Sequence, residues 1–87
     1  MTKKELIEVI KLVLFDDVED GGFENFTTSD GTEWNVESCN YGDDDWFLTV
    51  DCEEDGYNPI QYNREDGTDD EIAEALVDRL LYVGLEL

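Results

Sequence analysis

The segment Thr32 to Asp55, TEWNVESCNYGDDDWFLTVDCEED, decides the fold. Trp34, Val36 and Ser38 alternate in its first half, and Trp46, Leu48, Val50 and Cys52 in its second. A period of two marks strands with one buried side. A five-residue connection, Tyr41 to Asp45, pairs Asn40 with Trp46 and Val36 with Val50. That register brings both alternating sets to one face, whereas a slip of one residue separates them. The other face then carries Glu33, Asn35, Glu37, Cys39, Phe47, Thr49, Asp51 and Glu53, with the acids Asp43, Asp44 and Asp45 in the connecting loop. Cys39 and Cys52 fall on opposite faces, so no internal disulfide is expected.

Upstream, Phe23 to Thr28 has the aromatic and Thr-rich composition of a strand. The loop Ser29-Asp30-Gly31, with Gly31 left-handed, pairs Thr28 with Thr32 and Phe26 with Trp34. Thr2 and Glu5 have the spacing of a capping box, and Leu6, Ile7, Val9, Ile10, Val13 and Leu14 follow at helical spacing, predicting a helix to about Phe15. The acids from Asp16 to Asp20 and then Gly21-Gly22 end it.

Downstream, Asp55 to Pro59 reads as a turn, and Ile60 to Asn63 as a short strand that Pro59 confines to an edge. Thr68 and Glu71 form a second capping box. Ile72, Ala73, Leu76, Val77, Leu80, Leu81 and Val83 make the inward stripe of a closing helix, with Gly84 as its stop. Its outward side places Asp70, Glu74 and Asp78 four residues apart. Like charges in such a row repel. The expected architecture is therefore an α+β domain spanning residues 1–87: helix, three or four antiparallel strands, helix, with both helices on one face of the sheet.

Composition narrows the function. The 87 residues hold 25 acidic and 5 basic side chains and no histidine, for a formal charge of −20. Coulomb repulsion opposes direct binding to nucleic acid or anionic lipid, and favours a basic protein surface as partner. No apolar run approaches the length of a membrane span, and the N-terminus lacks a signal-peptide pattern, so an intracellular, cytoplasmic protein is expected. The two cysteines without histidine do not complete a familiar zinc site.

Acids before Gly21 and Gly56 suggest the first half of an EF-hand loop. The match fails because Val18, Thr27 and Tyr62 stand where oxygen ligands are needed. No metal or cofactor is expected. No phosphate-binding glycine loop or nucleophile with a recognisable base is present either, so no catalysis is expected.

Alternate strand residues lie about 6.5–7 Å apart, and helical carboxylates four apart about 6 Å apart at Cβ. Both spacings approximate successive phosphates of a DNA strand. In size and charge the chain resembles the phage-encoded acidic proteins that mimic DNA, among them small anti-CRISPR and anti-restriction inhibitors. The resemblance is one of composition over the whole chain, and no residue role is carried over with it. It implies a non-catalytic inhibitor, acting in the host cytoplasm, that occupies a basic nucleic-acid-binding surface of another protein. The alternative is an acidic interaction domain, such as an immunity or adaptor protein, without mimicry. The candidate contact residues are Glu37, Asp43, Asp44, Asp45, Asp51, Glu53, Glu54, Asp70, Glu74 and Asp78, with Tyr41, Phe47 and Tyr57 as aromatic anchors.

Overall fold

The computed structural model describes residues 1–14, 22–40 and 46–87. Helix α1 (Lys3–Leu14) leads into strands β1 (Phe23–Thr27), β2 (Glu33–Asn40), β3 (Trp46–Asp51) and β4 (Ile60–Tyr62). A single 3-10 turn (Arg64–Asp66) then precedes helix α2 (Asp69–Tyr82). The strands form one antiparallel sheet in the order β1-β2-β3-β4. The architecture is α+β, as the alternation and the two capping boxes predict.

Both hairpin registers follow the hydrophobic pattern. Phe26 opposes Trp34, Val36 opposes Val50 and Asn40 opposes Trp46. The first turn closes with the Thr28 N–H donating to the Thr32 carbonyl at 3.0 Å, and Gly31 takes a φ of 87°. Left-handed backbone there suits glycine, which has no Cβ to clash. Asp30 ties the turn together by accepting from the Thr28 hydroxyl and the Thr32 N–H.

Both helix starts are capped reciprocally. Thr2 and Glu5 exchange side-chain-to-backbone bonds at 3.0 and 3.1 Å, and Thr68 and Glu71 do the same at 3.3 Å. Each box satisfies amides that the helix itself leaves without partners.

One core joins Leu6, Ile10, Val13 and Leu14 of α1 and Ile72, Ala73, Leu76, Val77 and Leu80 of α2 to the inward residues of the sheet. Helix α1 lies on β1 and β2, and α2 packs against α1. The rings of Phe26 and Trp34 stack within this core, and the partly buried Tyr57 stacks on Trp34 at its margin. Beyond α2, Leu85 is buried, and the Ser29 N–H donates to the Leu87 carbonyl at 2.7 Å.

Helix α1 is described as far as Leu14, and Phe15 lies outside the described residues. Two local expectations need correction. Val83 keeps the helical phase of Leu76, seven residues earlier, but it is the C-cap at the very end of α2 and is exposed there rather than buried in the stripe. Strand β1 stops at Thr27, since Thr28 belongs to the turn. The acids from Asp16 to Asp20, Gly21 and the connection Tyr41 to Asp45 lie outside the described residues.

Candidate functional site: an acidic open face of the sheet

With the helices on one side, the opposite side of the sheet is uncovered by any described element. Strand alternation sends Phe23, Asn25 and Thr27 of β1, Glu33, Asn35, Glu37 and Cys39 of β2, Phe47, Thr49 and Asp51 of β3, and Gln61 of β4 to this side. It carries three carboxylates and no lysine or arginine. Asp51 opposes Asn35, which stands between Glu33 and Glu37 along β2. Asp51 is therefore diagonal to both glutamates, about 7–8 Å from each. All three are exposed, and none forms an ion pair with a described residue.

Glu53 and Glu54 extend the acidic surface just past the end of β3. A shallow depression of about 340 Å³ gathers them with Glu33, Gly31, Thr32 and Cys52. This acidic end lies at the first hairpin turn, away from the Asn40–Trp46 end of β2 and β3. Trp46 and Asp51 are five strand steps apart, about 17 Å. The register thus places Glu33, Asp51 and Glu53 at the opposite end of the hairpin from Asn40 and Trp46.

The α2 row belongs to a different environment. The Lys3 ammonium lies 2.7 Å from Asp78 and 4.0 Å from Glu74, and Lys11 lies 2.8 Å from Asp70 and 3.5 Å from Glu8. Hydrogen bonding to Asp78 and Asp70, with the nearby negative charges, raises both lysine pKa values despite some desolvation. The row is therefore a contact between helices. Asp70, Glu74 and Asp78 keep more than half of their side-chain surface exposed but are no longer a bare anionic stripe. Its sequence signature was available: Lys3 and Lys11 are eight residues apart, Asp70 and Asp78 are eight apart, and the pairs meet in reverse order, as antiparallel helices require.

The aromatic candidates separate in the same way. Phe47 is on the open face and half-buried, beside Cys39 on β2. Tyr57 stacks on Trp34 at 5.5 Å on the core side and is partly buried at the core's margin, where burial raises its pKa. Tyr41 and the three loop aspartates lie outside the described residues. Sequence reasoning passed over Phe23, which is 58% exposed on the open face. It is an outward residue of β1 by the same period-two count.

Among the described residues no cluster of cysteine and acidic side chains has the arrangement to hold a metal ion, and no helix is long and apolar enough to cross a membrane. Neither Cys39 nor Cys52 is in a disulfide. The chain matches no protein-family model, and no curated protein or solved structure matches it.

Proposed function

We propose that this chain is a non-catalytic inhibitor whose open sheet face occupies a basic, nucleic-acid-binding surface of another protein. The observation that carries this reading is the segregation of charge. Lys3 and Lys11 are engaged between the helices, while Glu33, Glu37 and Asp51 share a face without any cation, continued by Glu53 and Glu54. Such a surface projects a negative field that attracts a basic channel, speeds association, and weakens with salt. Carboxylates held on strands cost little reorganisation on binding, because the sheet already fixes their spacing. The acids supply the field, and the half-buried Phe47 and exposed Phe23 supply apolar contact.

Those two aromatics also favour a second reading, an acidic interaction domain that binds a basic protein without mimicry, since DNA phosphates have no apolar counterpart. Partners captured from a cell lysate at low salt, then challenged with duplex DNA, separate the two. Release of the chain by duplex supports mimicry. A ternary assembly in which partner, duplex and chain coexist overturns it in favour of the interaction domain.

A further inference from the structure

On the side of the molecule away from the α1–α2 ion pairs, α2 and β4 diverge and leave a groove. Its volume is about 690 Å³, within the roughly 300–1,000 Å³ of typical ligand sites. Tyr57, Ile60, Leu76 and Val83 supply apolar walls, and Arg79 reaches it from α2. Strand β4 is the last in the sheet order, so its outer edge is unpaired among the described strands. Such an edge offers backbone donors and acceptors to an added strand.

Arg79 is the unusual member. In a chain with 25 acidic residues, its guanidinium forms no hydrogen bond or ion pair with any described residue. Arginine presents a planar fork of donors that matches a carboxylate. Along α2, the groove-lining residues run from Ile72 to Val83. At 1.5 Å per residue that is ~16 Å, the length of about five residues of extended chain. Arg79 lies seven of these eleven steps from Ile72, ~10 Å, so an extended chain that enters at the Ile72 end reaches its guanidinium after about three residues, the length of β4, and can end there on its carboxylate. A second copy of this chain is a poor occupant, because each copy carries a formal charge of −20.

We propose that the groove between β4 and α2 receives the extended C-terminal tail of a partner polypeptide. The tail adds to the β4 edge, its alternate aliphatic side chains lie between Ile60 and Leu76, and its terminal carboxylate pairs with Arg79. Pro59 and the three-residue length of β4 keep the added strand short. This interaction is independent of the open face and has the opposite salt response. The chain's net charge repels an incoming carboxylate, so screening tightens tail binding while it weakens attraction to a basic partner.

The test is an NMR titration of the isotope-labelled full chain with an acetylated hexapeptide of alternating threonine and leucine, carrying either a free C-terminal carboxylate or an amide. The expected result is amide shifts confined to residues 57–62 and 72–83, with at least tenfold tighter binding of the carboxylate peptide. Arg79 also offsets the dipole at the end of α2, so Arg79→Gln is read by peptide preference. It should abolish the tenfold difference, and Ala75→Arg, which fills the groove from an exposed helical position, should abolish binding. Equal binding of the two peptides, shifts outside the groove, or no shifts at millimolar peptide overturns the proposal; because that comparison uses the unmutated chain, it does not depend on the folding of either variant.

Discussion

The ammonium of Lys3 near the start of α1 lies 2.7 Å from the carboxylate of Asp78 near the end of α2, and Lys11 repeats the contact with Asp70 at 2.8 Å. Two cations thus hold a row of three carboxylates that would otherwise repel one another. Replacing both lysines with glutamine moves the formal charge from −20 to −22 and leaves the row bare. The double variant should melt at a lower temperature than the parent, with the largest difference at low salt. Both proteins should gain stability on going from low to physiological monovalent salt, because self-repulsion outweighs the few exposed ion pairs. Thermal melts at several salt concentrations check this, and salt-independent melting in both would contradict it.

The hydroxyls of Ser38 and Tyr62 are hydrogen-bonded inside the core, with Ser38 fully buried. Tyr62→Phe strands the serine hydroxyl and should cost about 1–3 kcal/mol, whereas adding Ser38→Ala should recover part of the loss, because an unpartnered buried polar group is the expensive state. Urea denaturation of the single and double variants reads the difference.

Alkaline pH should unfold the chain early. Burial raises the Tyr62 pKa above its ordinary 10.0, and hydrogen bonds to Asp78 and Asp70 raise Lys3 and Lys11 above 10.5. In each case the unfolded chain releases its proton at a lower pH than the folded one. The stabilising contributions are therefore complete below the unfolded values and are lost as pH rises through the folded ones. Equilibrium denaturation should show stability falling from about pH 10 upward, with a smaller fall in the double lysine variant.

Gly22 is a point of close approach between layers. Its N–H donates to the Val13 carbonyl at 3.2 Å, its carbonyl accepts from the Ser38 N–H at 3.0 Å, and a Cβ placed on it would meet the Val13 Cα at 2.7 Å. Backbone cannot step aside as a side chain can. Gly22→Ala should destabilise by about 1–3 kcal/mol, measurable as a lower urea midpoint. Gly31→Ala instead tests conformation alone, since no atom crowds that position.

On the open face, replacing Glu33, Glu37 and Asp51 with glutamine or asparagine should slow association with a captured basic partner and flatten its salt dependence. The matching neutralisation of Asp70, Glu74 and Asp78 should act mainly on stability, because it unpairs Lys3 and Lys11. Stopped-flow association alongside thermal melts distinguishes the two. Loss of association rate from the α2 variant alone would move the site to the helices.

Much of this was legible in the sequence, for reasons that differ by element. Phe26 opposite Trp34 and Val36 opposite Val50 follow from period two and loop length, which together leave one register that brings both alternating apolar sets to one face. Thr2 with Glu5 and Thr68 with Glu71 follow from a fixed three-residue spacing. The partners of Asp70 and Asp78 were missed, because the stripe on a helix tells which side is buried but not which element lies beside its flank. Only the matching eight-residue separations of Lys3 and Lys11 carried that signal. The stacking of Tyr57 on Trp34 was not legible, because a turn residue has no periodicity to assign it a face and the contact depends on the tertiary fold. The groove was invisible for the same reason, as it lies between β4 and a helix distant in sequence.

The order of the strands also shapes how the molecule assembles. Every neighbouring pair in the sheet is consecutive in the chain, so all three pairings need only local loop closure, while the α1–α2 contact joins residues as far apart as Lys3 and Asp78. Distant contacts carry the larger closure entropy and form late. If the sheet forms while the α2 acids still lack their lysines, the barrier to folding contains electrostatic repulsion that the finished structure partly relieves. Salt should accordingly accelerate folding more than it retards unfolding.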